Sequence, residues 1–524
     1  MKIQSPLQEF SSLILRFGLL ALIASLQACA GLPPRSVLPI ETVQKDSQNS
    51  ALGRLSLVSP SPELSGFRLL PHSSFALDAR LALAQAAENT IDVQYYIFRC
   101  DAVGKHVLSS LESAADRGVK VRLLVDDFHI GDDDSCFATF AQIPNVQVRI
   151  FNPLPARDGS LLSRLLRSLP DLKRINHRMH NKLFIADNSA SVSGGRNIGR
   201  EYFMQNEEAN FIDMDVLAVG PVVREQSISF DQYWNSEYSF PVELLATPSP
   251  LASIPLDQAQ ELETMNSPLQ AVDALGRGAL SQELPVGHLN LIWAPAQVIA
   301  DSPDKISRPD MAERFSGSVT EQTLEMMTRA QNRVIAISPY FIPSPLVLET
   351  MRETSRRGVH TTVLTNSFGA TDEALVHFAY ARYRKEVLAL GVDIYELGPD
   401  IARRLKSVGN FGRSQGRLHA KMLIVDDTQL FVGSMNMDER SASLNTEVGL
   451  VIDSAPLARD FRRLMDGEHF YGAYRLQLNP AGRIQWIDRD DDDRETLLDT
   501  EPDVPILRRF KRWLLTPLIP EDLL

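Results

Sequence analysis

The chain has 524 residues, 44% hydrophobic and 23% charged, and carries a net charge of -13. That length exceeds one ordinary domain, so two globular units or one large duplicated unit are expected. The acidic balance argues against a broad basic face that tracks nucleic-acid phosphates, and no nucleic-acid partner is expected. It leaves room for a locally basic cleft.

Residues 1–28 read as a signal peptide. Lys2 and Arg16 precede an apolar run from Phe17 that is too short to span a bilayer comfortably. The run ends in Leu26-Gln27-Ala28-Cys29, which resembles a bacterial lipobox cleaved before a lipid-carrying cysteine. A plain secretory signal is the alternative. Ala30 after Cys29 fits outer-membrane sorting, so the expectation is a periplasm-facing lipoprotein of the bacterial cell envelope, held to the membrane by lipid on Cys29. Residues 29–65 are Pro/Ser-rich and poorly periodic, as a tether is. Cys100 and Cys136 then remain, either as a disulfide or as two reduced thiols.

Residues 66–242 alternate helical and extended patterns. Helical spacing from Phe75 is followed by the strand IDVQYYIF from Ile91, an amphipathic helix from His106 that stops at Gly118, and a nearly continuous apolar strand from Val119. Residues 243–284 read as a linker, Pro-rich from Leu245 and then helical to about Arg277. In residues 285–487 the earlier order returns: a strand from Asn332, a helix from Val347 and a strand from Val359. Arg117-Gly118-Val119 and Arg357-Gly358-Val359 lie 240 positions apart, and Phe128 matches Phe368 at the same offset. An internal duplication accounts for this. A hairpin is expected around Asn479–Gly482. Residues 488–524 form a tail, acidic from Asp488 and then basic and apolar from Arg508.

Each half holds one constellation. The first has His180, Lys182, Asp187, Gly194, Gly195 and Asn197; the second has His419, Lys421, Asp426, Gly433, Ser434 and Asn436. The internal spacings are identical, which one accidental match would not produce. Residues two apart on a strand share a face, so each histidine and lysine project together. The small Gly-Gly or Gly-Ser turn is expected to bring backbone N–H groups to an anion. A nucleophile, a fixed cation and neutral donors suit the spread negative charge of phosphoryl transfer. One histidine per motif and no cysteine cluster make a metal site or other cofactor unexpected.

These two motifs resemble the HKD motifs of the phospholipase D superfamily, over roughly Phe67 to Trp486. The resemblance implies an α/β fold: two similar α-β-α sandwich halves related by a pseudo-twofold axis, sharing one active site. It implies that one histidine attacks phosphorus while the other serves as general acid and base. His180 is assigned as nucleophile and His419 as acid/base, with the reverse order open. Lys182, Lys421, Asn197, Asn436, Gly195 and Ser434 would hold the phosphate; Asp187 and Asp426 would be chiefly structural. Asp213 and Glu447 would each orient the histidine of the opposite half, the alternative being ordinary strand-edge acids. His177 reads as a supporting or surface residue.

Within that superfamily, QYYIF, the context of His180 and GGRNIGREYF resemble bacterial cardiolipin synthases of the C-like group, implying phosphatidyl transfer between phospholipid substrates. Hydrolysis of a phospholipid, action on nucleic acid, and lipid binding without turnover are the alternatives. Arg200 stands where the related pattern has an acid, which puts head-group preference in question. Basic residues precede each motif: Lys173, Arg174 and Arg178, then Arg403, Arg404, Lys406, Arg413 and Arg417. They read either as an anionic-substrate entrance or as solvated loops. The stretch from Ser160 and the tail from Arg508 read either as bilayer-resting segments or as packed helices.

Overall fold

The structure is a computed structural model that describes residues 32–34, 39–42, 49–130, 133–157, 163–164, 167–168, 171–249, 271–287, 289–400, 409–465, 473–489 and 494–504. The signal peptide, Cys29, most of the stretch from Ser160, residues Arg403, Arg404 and Lys406, and the tail from Arg508 lie outside the described residues.

Two sheets dominate. In the first, Ser65–Leu70, Asp215–Val219, Ala190–Gly194, Lys182–Ala186, Thr90–Tyr95, Lys120–Asp126 and Val146–Phe151 are neighbours in that order. In the second, Ala296–Ala300, Val448–Asp453, Gln429–Gly433, Met422–Val425, Arg333–Ile337, His360–Asn366 and Asp393–Leu397 repeat the same order. The last three strands of each series run parallel and the others antiparallel. The duplication read from sequence is therefore a duplication of topology, and the chain has the α/β fold of two sandwich halves.

The crossovers explain the helices. Ala102–Asp116 and Pro345–Arg356 each join two parallel strands, and each turns out of its helix at a glycine with positive φ, Gly118 (94°) and Gly358 (80°). Helix Pro221–Asn235 and helix Ala455–Leu464 instead bury Phe230, Trp234, Leu457 and Phe461 in a core shared by both sheets. That core includes Phe67 and Leu183 from one sheet and Ile337 and Met422 from the other. The halves are thus joined by packed apolar surface, which holds groups from both of them in one rigid arrangement.

Strand exchange adds to the union. Ile292–Ala294 pairs with Ser65–Phe67 in the first sheet before Ala296–Ala300 enters the second. Residues 271–277 form turns, where a helix was expected. The expected hairpin is present, with Ala473–Leu478 against Ile484–Arg489, and Glu495–Leu498 adds a further strand.

Candidate active site

Backbone pairing between the halves builds the site. Gln415–Leu418 runs parallel to Ala209–Ile212, with Leu418 opposite Ile212; an isolated bridge joins Met179 to Thr446. The next residues along are His419 and Asp213 in one pair, His180 and Glu447 in the other. His419 N–H donates to the Ile212 carbonyl (2.7 Å) and His180 N–H to that of Thr446 (2.9 Å). Each histidine therefore enters beside an acid of the opposite half. His180 Nδ1 lies 2.8 Å from Glu447 Oε2, and His419 Nδ1 lies 2.6 Å from Asp213 Oδ2. All four side chains are buried. With both Nδ1 atoms held, each ring has Nε2 left for chemistry.

Lys182 and Lys421 are buried, and each donates to the carbonyl of its own motif's histidine at 2.6 Å. Burial, followed by repulsion from Lys421, pushes the Lys182 ammonium well below the usual lysine range. Burial brings Lys421 down to about 8. Burial and the two ammoniums likewise depress both imidazoles, His180 the more strongly. Mutually repelling cations in a desolvated pocket make an anion site, since an anion relieves the repulsion.

The two orienting acids differ. Asp213 is pushed down to about 2 because His419, Lys421 and Arg196 outweigh its burial. Arg196 also donates to the Asp213 carbonyl (3.0 Å) and pairs with Asp215 (2.9 Å). Glu447 is pushed up to about 7 by burial, although Ser434 and Ser441 hydroxyls donate to it. Behind it, Asp301 accepts from the Glu447 N–H (2.9 Å) and pairs with the buried Lys305 (2.7 Å).

Gly195 and Ser434 correct one expectation. Their N–H groups donate to the carbonyls of Met214 and Val448, continuing the sheets, so neither amide is presented to an anion. Their role is spatial instead. A Cβ at residue 195 would stand 2.2 Å from Asp213 Oδ1, whereas the Ser434 hydroxyl fills the corresponding place and bonds the longer Glu447. Asn197 Oδ1 accepts from Ile97 N–H (3.2 Å); Asn197 Nδ2 and Asn436 Oδ1 are buried and reach no hydrogen-bond partner among the described residues.

Asp187 and Asp426 point away from the imidazoles. Asp187 accepts from the amides of Glu88, Asn89 and Thr90, and Asp426 from those of Gln331, Asn332 and Arg333. Each sits at positive φ, 50° and 52°, in the turn after its strand. His177 is buried, with Nδ1 2.9 Å from the Leu444 carbonyl, so it is not a surface residue. Arg178 is spent on buried Asp126 (3.1 Å), and Arg174 on Asp171 and Asn152, so neither is a solvated loop residue. Cys100 and Cys136 are joined as a disulfide with Cα atoms 6.6 Å apart, not left as thiols. Among the described residues no group of three His, Cys, Asp or Glu is placed to hold a metal ion.

Several contributors were not among the site residues expected from the motifs, although Tyr96 and Tyr202 lie in the QYYIF and GGRNIGREYF stretches. Tyr96 packs edge-on against His180 (4.9 Å), and Tyr202 and Phe211 pack against His419 (5.2 and 4.9 Å). His129 Nε2 lies 3.2 Å from the Tyr96 hydroxyl. His129, Tyr202 and Phe211 line a cavity of about 1030 Å³, together with Arg99, Glu201, Asp372 and Arg417. Arg200 is exposed and outside that lining; its neighbour Glu201 faces the cavity instead.

The family described as "Cardiolipin synthase, PLD-like domain" matches residues 81–234 and 323–468, one match per half. Cardiolipin synthase C of Escherichia coli (strain K12) is 36% identical over 458 residues, covering 87% of this chain and 95% of that protein. An uncharacterized protein of Helicobacter pylori (strain ATCC 700392 / 26695) is 31% identical over 506 residues, covering 94% and 96%. The crystal structure of phosphatidylserine synthase from Haemophilus influenzae Rd KW20 shares the fold, with a TM-score of 0.52 over 90% of this chain and 100% of that one at 12% identity. Two matched halves and a relative aligned along nearly its whole length place the chain in the phospholipase D superfamily, as a member of the PLD-like cardiolipin synthase family.

Proposed function

We propose that this chain is a phosphatidyltransferase that makes cardiolipin by moving the phosphatidyl group of one phospholipid onto the glycerol hydroxyl of phosphatidylglycerol. The observation that carries the reading is the crossed pairing of His180 with Glu447 and His419 with Asp213, beside two buried lysines. The similarity to cardiolipin synthase C supports the choice of substrate.

His180 is the nucleophile in this account. Its imidazole is the more strongly depressed, so its Nε2 lone pair is available. His419 is depressed less, because an Asp213 that stays ionised offsets part of the burial and Lys421 repulsion, so of the two imidazoles it is the better able to carry and give up a proton. His180 Nε2 attacks phosphorus, the bond to the leaving oxygen breaks, and His419 protonates that oxygen. The acceptor hydroxyl then gives its proton to His419 and attacks phosphorus, breaking the P–N bond. Lys182, Lys421, Asn197 and Asn436 hold the phosphate oxygens throughout.

The envelope placement belongs to the same proposal. The lipobox-like sequence before Cys29 supports a lipid tether, and the Cys100–Cys136 disulfide fits an oxidising compartment. No helix among the described residues is long and apolar enough to cross a membrane. Purified protein in vesicles of phosphatidylglycerol, with products read by mass spectrometry, tests the function. Cardiolipin formed by the wild type and absent with His180→Ala is the expected result; phosphatidic acid as the sole product identifies a hydrolase, and an active His180→Ala removes the mechanism.

A further inference from the structure

Transfer between two phospholipids brings two phosphodiesters to one centre: the one that is cleaved and the one the acceptor keeps. The paired motifs account for the first. We propose that Arg417 holds the second, the uncleaved phosphate of the acceptor lipid, an inference that rests on the phosphatidyltransferase reading above.

Arg417 stands two residues before His419, on the strand that crosses to the other half, opposite Phe211 in register. Phe211 packs against His419 at 4.9 Å, and both Arg417 and Phe211 line the 1030 Å³ cavity. Its Nε is buried and meets no hydrogen-bond partner among the described residues, while the side chain as a whole is half-buried at the cavity wall. Arginines placed like this are ordinarily paired, because a buried donor left unmade costs more than a bond gains. A guanidinium two residues from His419 in sequence, on a cavity wall and with its Nε unspent, suits a planar, two-oxygen partner such as a phosphodiester.

The cavity also holds carboxylates, of which Glu208 is exposed at the rim and most of the others are engaged. Asp101 accepts from Gly104 N–H (3.0 Å) and Arg200 N–H (2.7 Å), Asp133 from Cys100 N–H (3.1 Å) and Asp372 from the Tyr340 hydroxyl (2.8 Å). Burial holds Glu201 above the usual carboxylate range. Arg99, the other lining arginine, donates to the His129 carbonyl (2.8 Å). Sites that take a drug-sized molecule span roughly 300–1,000 Å³, so a cavity of about 1030 Å³ is large enough for a phospholipid head group.

The test compares two acceptors in one reaction. Purified full-length chain acts on phosphatidylglycerol vesicles with ethanol present, so the phosphatidyl enzyme partitions between cardiolipin and phosphatidylethanol. Ethanol carries no phosphate. With Arg417→Gln the ratio of cardiolipin to phosphatidylethanol falls about tenfold or more, the scale of one lost charge-assisted hydrogen bond. Arg417→Lys, which keeps the charge but not the fork, gives an intermediate ratio and serves if the glutamine variant does not fold. An unchanged ratio, or equal loss of both products, overturns the assignment and leaves the function standing. A wild type that forms neither product overturns the function and this inference with it.

Discussion

Asp213 of the first half holds His419 of the second at 2.6 Å, and a carboxylate 206 residues distant in sequence thereby offsets part of the depression that burial and Lys421 impose on that imidazole. The reciprocal pair, Glu447 with His180, is similar in geometry and opposite in electrostatics, about 7 against about 2.

That contrast makes the two acids unequal on substitution. Asp213→Asn removes the charge that supports the His419 imidazolium, and turnover falls on the order of 10³-fold or more, as loss of an orienting carboxylate does elsewhere. Glu447→Gln replaces a group already easily neutralised, so its loss of turnover is smaller. Stability follows the same asymmetry. Asp213 is depressed below its ordinary value, so its contribution is present above about pH 4 and is lost as pH falls towards 2. Glu447 is raised, so the native state binds its proton more tightly and stability declines as pH rises from about 4 through 7. Melting curves at pH 3, 5 and 8 check this: Glu447→Gln gains on the wild type between pH 5 and 8, while Asp213→Asn lags most above pH 4.

Lys421, brought down to about 8, predicts proton uptake on anion binding. A phosphate analogue such as orthovanadate favours the charged ammonium, so binding at pH 8 takes up protons and affinity falls as pH rises through 8. Calorimetry in buffers of different ionisation enthalpy measures the uptake. Lys421→Met reduces it; an uptake unchanged in that variant would assign the proton to another group.

Asp187 predicts a stability effect. It is fully buried and accepts from three consecutive amides at φ 50°, so Asp187→Ala costs about 2–4 kcal/mol, with donors left unmade and a Cβ still in the left-handed region. Asp187→Gly costs less by about 1 kcal/mol, because glycine takes that conformation freely. Denaturant unfolding of the two variants measures the difference.

Gly195 and Ser434 occupy corresponding places with different tolerances. Gly195→Ala drives a Cβ into Asp213 Oδ1, displaces the carboxylate from His419 and lowers turnover by about tenfold or more. Ser434→Gly removes one donor to Glu447 and lowers turnover by severalfold at most. Steady-state rates on the same lipid vesicles compare them.

The paired motifs were legible because the same spacing occurs twice, and the crossover helices because Gly118 and Gly358 end amphipathic runs. Asp213 and Glu447 were legible as positions following each motif. Phe211, Asp301 and Lys305 were not. Each is an ordinary residue type, and its place at the site arises from strand pairing or packing between distant segments, as Arg417 opposite Phe211 does. The Gly-Gly turn was misread for a related reason: its N–H donors looked available until the neighbouring strand claimed them. Pairing of Ile292–Ala294 with the first sheet is likewise a non-local event without a local mark.

Intact-protein mass spectrometry after brief exposure of His419→Ala to a phosphatidyl ester of nitrophenol addresses the central claim most directly, because that leaving group departs without a general acid and the variant lacks the base needed to resolve the intermediate. A phosphatidyl adduct that maps to His180 on peptide analysis is the expected result. Slow turnover without an adduct on that imidazole, or an adduct on some other side chain, would contradict it.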